Sequence, residues 1–213
     1  DVEVYGAMWA DANDRAVELA EEVGGSLIHP FDMQDLWDGH ASIVHEIKDD
    51  LEEPPDAVIV SVGGGGLLMG VLTGLQQVGW DQSVVTVACE TNGADCLAKS
   101  VAAGEVITLP GITSIAKSLG AASPSSVVYD RCVELGPSLV SNWVCSDKEA
   151  VQAVIRFAEE HRVLVEPACG AALAAVYQSA QGLKTMKSVV VEVCGGAIVG
   201  PELLEQWRKD FKL

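Results

Sequence analysis

The sequence predicts an α/β fold: an open, mostly parallel twisted sheet with helices on both faces, incomplete at its N-terminus. Three observations predict it. Uncharged β-branched runs, Val58-Ile59-Val60 and Val84-Val85-Thr86-Val87 among them, read as strands buried on both faces, as in parallel sheets. Amphipathic and alanine-rich stretches alternate with these runs, as covering helices must. Glycines stand where strands end, Gly63-Gly64-Gly65-Gly66 after one run and Cys194-Gly195-Gly196 after another. In open α/β sheets, ligands bind beyond those carboxyl ends.

Taken in order, Val2-Glu3-Val4-Tyr5 reads as a short strand. Ala12, Ala16, Leu19, Ala20 and Val23 mark a helix with Asp11 at its N-cap, stopped by Gly24-Gly25. Ser26-Leu27-Ile28-His29 reads as a strand, and Pro30-Phe31-Asp32 as a linker. A helix carrying Ile43, Val44, Ile47 and Leu51 ends before Pro54-Pro55. Then come the strand at Val58–Val62, the glycine turn, and a helix from Leu67 to Gly79. Val84–Glu90 is the next strand and Ala94–Ala102 a short helix. The stretch from Gly104 to Pro124 is a functional loop with little regular structure. Val127–Leu135 is helical and Val140–Cys145 a strand. Ser146-Asp147-Lys148-Glu149 is a capping box opening a helix through Glu160. Ala168–Ala180 is an alanine-rich helix, Ser188–Val193 the last strand, and Pro201 the first residue of a terminal helix.

Composition narrows the function. The 213 residues suffice for one sizeable domain with a fragment of a second. A formal charge of −18, from 31 acids against 13 bases, repels nucleic acid and anionic membranes, so neither is expected as a partner. Six cysteines without a C-x-x-C pair read as reduced thiols of a cytoplasmic protein. No uncharged stretch reaches membrane-spanning length. The chain opens at Asp1 without an initiator Met, and a preceding segment is expected.

The tetraglycine turn carries the chemistry. Backbone N–H groups converge there without Cβ clashes, and the following helix adds its positive dipole end, which together suit a phosphate. A P-loop would place Lys-Ser/Thr after the glycines, where Leu67-Leu68 stand, and G-x-G-x-x-G fails in either register. Glu90 ends the next strand and keeps a nicotinamide reading open, but a single small phosphate fits better. Glu90 itself reads either as a partner of the following helix N-terminus or as a carboxylate at the cofactor or a cation. Cys194 reads as a small buried hydrophobe or as a weak donor where Gly195-Gly196 allow close ligand approach. His29, His40, His45 and His161 show no metal-ligand spacing. Lys117 reads as surface, and Ser114 and Ser118 lack an evident triad.

Four stretches carry a resemblance: Ser61-Val62-Gly63-Gly64-Gly65-Gly66-Leu67, Ile112–Gly120, Leu164–Ala175 and Val193-Cys194-Gly195-Gly196. In this order they resemble the serine dehydratase and threonine deaminase family of fold-type II pyridoxal-phosphate enzymes, whose fold is that of tryptophan synthase β. The likeness spans nearly the whole chain, as the C-terminal two-thirds of such an enzyme. It implies residues 1–31 as a remnant of the small domain and 32–213 as the large cofactor-binding domain. It implies pyridoxal phosphate held by Gly63, Gly64, Gly65, Gly66 and Leu67, with Cys194 near the pyridine nitrogen. A potassium ion is implied at Gly64, Glu90, Ala94, Leu119 and Ala121. The implied reaction is α,β-elimination from L-serine, and L-threonine, giving ammonia and pyruvate or 2-oxobutanoate, in amino-acid catabolism and gluconeogenesis. A homodimer is implied. The family's Schiff-base lysine lies in a Ser-x-Lys-x-Arg-Gly motif that this chain does not contain. The chain alone is therefore expected to be inactive, with the lysine-bearing segment present as a separate chain or absent from this one. Ala197-Ile198 stand where the family often has Asn, and Asn92 where an aromatic is common. A catalytically inactive binding or regulatory module of the same fold is the alternative reading.

Overall fold

The computed structural model describes residues 2–7, 9–178, 180 and 182–213. Among these residues, four strands form one sheet: β1 (Ala57–Ser61), β2 (Val85–Thr91), β3 (Val140–Cys145) and β4 (Val189–Val191). Their spatial order is β3-β2-β1-β4, and every pairing is parallel. Ile59 of β1 stands opposite Val87 on one side and Val191 on the other. The chain leaves β1 for β2 on one flank and reaches β4 on the other flank last. The C-terminal end of β1 is thus the point where the winding reverses, the place where doubly wound sheets open a crevice.

Among the described residues, eight helices accompany the sheet: α1 (Trp9–Val23), α2 (Gln34–Asp50), α3 (Gly66–Val78), α4 (Cys96–Ala103), α5 (Ser126–Leu135), α6 (Asp147–His161), α7 (Pro167–Tyr177) and α8 (Pro201–Phe211). Side chains of β1 alternate between two cores, as the two-residue period of a strand requires. Val58, Val60 and Val62 pack with Val44 of α2 and Leu68, Leu72 and Leu75 of α3. Ile59 faces the opposite core, built from Val154 of α6, Ala172 of α7 and Trp207 of α8. Small residues set the helix spacing. A Cβ on Gly170 of α7 would lie 2.8 Å from Val154 Cγ2 and 3.0 Å from the Ala150 carbonyl carbon. Close approach of α6 and α7 therefore depends on its absence.

Most elements lie where the sequence puts them, and β3 does so residue for residue. The capping box is formed: the Glu149 N–H donates to Ser146 Oγ at 3.2 Å, and the Ser146 N–H donates to Glu149 Oε2 at 2.7 Å. Several expectations are corrected. Val2–Tyr5 and Ser26–His29 are not strands, because a strand exists only with a ladder partner and neither has one among the described residues. Asp11 is not the N-cap of α1. It lies in the first turn, where its carboxylate accepts the Ala7 N–H at 2.8 Å. The last strand covers three residues rather than six, since Glu192 leaves the ladder after its N–H bonds Ile59 O. The alanine-rich helix ends at Tyr177, and Ser179, within the expected helix, lies outside the described residues.

Candidate functional site

The glycine turn leaves the C-terminal end of β1 and runs directly into α3. Gly65 caps the helix in the left-handed conformation, φ 101°, which a β-carbon would strain. The N–H of Met69 bonds Gly65 O at 2.8 Å, so the intrahelical ladder begins there. Among the described residues, the N–H groups from Gly63 through Leu68 meet no protein acceptor. Six consecutive free donors at a helix N-terminus are an arrangement that suits an anion.

The glycines serve packing as well. A Cβ on Gly64 would overlap the Phe31 ring, and one on Gly66 would lie 2.8 Å from Phe31 Cα. One on Gly65 would lie 2.7 Å from Val128 Cγ1, and one on Gly63 would lie 3.2 Å from Leu119 Cα. Phe31 is held in turn by Trp37, whose Nε1–H donates to Phe31 O at 2.7 Å, and by the Trp9 ring at 5.2 Å. The turn is tight because neighbours fill every side of it except the cavity.

That cavity has a volume of about 480 Å³, within the size range of small-molecule sites. Gly63, Gly64, Gly65, Gly66, Leu67 and Cys194 all line it, so the implied cofactor residues converge. Leu119 lines it too. Glu90, Ala94 and Ala121 do not. Cys194 is exposed, not the buried hydrophobe its apolar run also allowed. Its thiol interacts with that of the buried Cys169. That contact, with partial burial, pushes Cys194 far up and leaves it a neutral thiol, while Cys169 is lowered.

Glu90 is fully buried at the end of β2. Its carboxylate accepts the N–H groups of Leu97 at 2.9 Å and Ala98 at 2.7 Å, at the start of α4. Burial raises it to about 7 against the opposing pull of those two bonds. Among the described residues no basic side chain pairs with it. Lys99, which lies within electrostatic reach of it, is ion-paired to Asp95 at 2.9 Å. The bland reading of Glu90, a partner of the helix N-terminus, is therefore realised. A buried carboxylate without a counter-charge also fits a hard cation.

The loop before α5 is organised by Ser114, which is fully buried. Ser114 Oγ donates to Asp147 Oδ1 at 2.5 Å and accepts the Ala116 N–H at 3.0 Å. This hydroxyl anchors the loop and has no histidine beside it. Lys117 is exposed, as expected. Sequence reasoning missed the roles of His40, Ser61, Glu166 and Phe31, which also line the cavity. They come from four separate segments, and no local spacing joins them.

The donor set suits pyridoxal phosphate: a phosphate cradle, an apolar wall and a neutral thiol within one crevice. The sequence of residues 1–195 matches the family model described as pyridoxal-phosphate dependent enzyme. The chain is 46% identical to a serine dehydratase-like protein of Rattus norvegicus, over 98% of this chain and 64% of that protein. It is 44% identical to L-serine dehydratase/L-threonine deaminase of Homo sapiens, over 92% of this chain and 61% of that protein. A fungal L-serine ammonia-lyase from Rhizomucor miehei superposes with a TM-score of 0.87 at 36% identity, covering 98% of this chain and 67% of that one. The chain thus spans a little under two-thirds of the length of these curated relatives. It belongs to the family of pyridoxal-phosphate dependent enzymes.

Proposed function

We propose that this chain is the cofactor-holding part of a lyase, an L-serine and L-threonine dehydratase, that eliminates water to give ammonia and pyruvate or 2-oxobutanoate. The observation that carries this reading is the row of unpaired N–H groups from Gly63 to Leu67, residues that line one cavity with Cys194. The names of the similar proteins supply the substrate class. Pyridoxal phosphate, when bound, acts as the electron sink for the elimination.

The chain's own residues bind and orient. The glycine-loop N–H groups and the α3 dipole hold a phosphate. The Cys194 thiol, kept neutral, would lie beside a bound cofactor without imposing a charge on it. Gly196 lets the β4–α8 turn pass close to the neighbouring chain, since a Cβ there would lie 2.7 Å from Leu164 O. Leu119, Phe31 and Leu67 limit water. A potassium ion at Glu90, with carbonyls of Gly64, Ala94, Leu119 and Ala121, would compensate the buried carboxylate and brace the loop beneath the cavity. We further infer residues 1–31 as small domain, 32–213 as large domain, a cytoplasmic location and a homodimer. No helix among the described residues is long and apolar enough to cross a membrane.

Among the described residues, no lysine lines the cavity. The covalent anchor and the α-proton base therefore have to come from residues beyond this wall, and the chain by itself acts as a binding module. The test is pyridoxal phosphate uptake by the chain, with inorganic phosphate as competitor and pyruvate release from serine as a second readout. Saturable uptake that phosphate reverses, without turnover by the chain alone, supports the reading. Uptake that phosphate leaves untouched, or serine turnover by this chain alone, contradicts it.

A further inference from the structure

We propose that His40 supplies the one cationic side chain to the anion held by the glycine loop, an inference that rests on the loop being a phosphate cradle. Among the described residues, the cavity wall contains no lysine and no arginine. Its ionisable side chains are His40, Glu166 and Cys194. Glu166 opposes an anion and the Cys194 thiol is neutral. In a chain of net charge −18, a phosphate dianion in this crevice would otherwise rest on backbone dipoles alone. A charge-assisted donor is the missing part.

The packing delivers His40 to this place. A Cβ on Gly70 of α3 would overlap His40 Cβ and lie 3.0 Å from Trp37 O. Glycine at that position lets α2 lie directly against the first turns of α3, the helix whose N-terminus forms the cradle. On α2, the residues one turn away, Leu36, Trp37, Ile43 and Val44, are apolar. Helix α3 carries no titratable side chain, and neither does β1. Glu166 at the start of α7 and Cys194 after β4 are the titratable groups that share the cavity with His40.

The other histidines are occupied. His29 Nδ1 accepts the N–H groups of Phe31 at 3.3 Å and Asp32 at 2.8 Å. His45 bonds Gln77 at 2.8 Å, and His161 stacks on Phe157 at 4.5 Å. His40 is half-buried, and its imidazole has no protein hydrogen-bond partner among the described residues. An imidazole offers a charge-assisted bond only when it is protonated, so anion affinity becomes pH-dependent at a site built otherwise from uncharged donors.

Sulfate, a dianion throughout the neutral range, separates this effect from the ionisation of phosphate. Its affinity for the chain is measured by calorimetry at pH 6 and pH 8, together with pyridoxal phosphate uptake at pH 6. We expect the wild type to bind sulfate about tenfold more tightly at pH 6. His40→Gln should remove that difference, and His40→Lys should bind at pH 8 as the wild type does at pH 6. The His40 Cε1–H resonance of the wild type, which needs no variant, should move when sulfate is added at pH 6. A wild-type pH difference retained in His40→Gln, or a resonance that ignores sulfate, overturns the proposal while leaving the cradle intact. A wild type that binds neither sulfate nor pyridoxal phosphate at pH 6 overturns the cradle reading and this proposal together.

Discussion

Val2-Glu3-Val4-Tyr5 and Val58-Ile59-Val60 carry the same β-branched signal, yet the two regions end in opposite states. Val2 and Val4 are 94% and 92% exposed, whereas Val58 and Val60 are 1% and 0% exposed. The difference lies in neighbours rather than propensity. β1 has β2 and β4 on its flanks and a helical layer on each face, so each residue gains ladder bonds and burial together. The arm from residue 2 to residue 29 has no ladder partner among the described residues, and α1 within it buries no residue. Strand propensity is a statement about packing surfaces, and it is realised only where the surface exists.

If that contrast is right, equal changes in the two regions have unequal costs. The largest effect should come from Gly170→Val in α7. Its side chain would press on Ala150 and Val154, where backbone cannot yield, and we expect a loss of about 3 kcal/mol or more. Urea unfolding measures it.

The pH dependence of stability comes next. Glu90 stands at about 7 when folded and near its ordinary value of 4.5 when unfolded. The folded chain therefore binds the extra proton between those values. Its contribution is full below about pH 4.5 and is lost as pH rises through about 7, a change of about 3 kcal/mol. Glu90→Gln should flatten that slope. Potassium, if it binds the carboxylate, should also flatten it and sodium should do so less. An unchanged slope in the variant would show that the pH effect arises elsewhere.

Ser146→Ala should cost about 1 kcal/mol by removing one half of the capping box at α6, again read by urea unfolding. The smallest effect belongs to the arm. Ile28 is 71% exposed, and Ile28→Ala should change stability by less than about 0.5 kcal/mol. A loss comparable with that at Gly170 would mean that the arm is packed as a core element, and the contrast would fail.

The same contrast explains what the sequence could reveal. β1, the glycine turn and α3 are contiguous, so a strand signal, a breaker and a helical period announced them within twenty-odd residues of chain. The capping box at Ser146 and Glu149 was legible for the same reason. The convergence of Gly63–Leu67 with Cys194 followed from the rule that strand ends share one edge of the sheet. His40 and Glu166 were not legible as a pair, because α2 and the start of α7 meet only after the sheet has wound. Phe31 looked like part of a linker, although it is the reason that Gly64 and Gly66 cannot carry side chains. One signal was available: Gly70 and Gly74 lie four apart on α3, and their shared face marks the close approach of another helix. For Glu90, spacing could not decide between capping and cation binding, since the same carboxylate is placed for both.

The central claim is that the glycine loop holds the phosphate of pyridoxal phosphate, and backbone amide spectroscopy tests it most directly. The chain is labelled with nitrogen-15 and titrated with pyridoxal phosphate, then with inorganic phosphate. The account predicts that the amide resonances of Gly63 through Leu68 move most with both ligands, and that those of Cys194 and Gly195 move with pyridoxal phosphate alone. Resonances of Gly63 to Leu68 that stay fixed while the ligand binds elsewhere would contradict it.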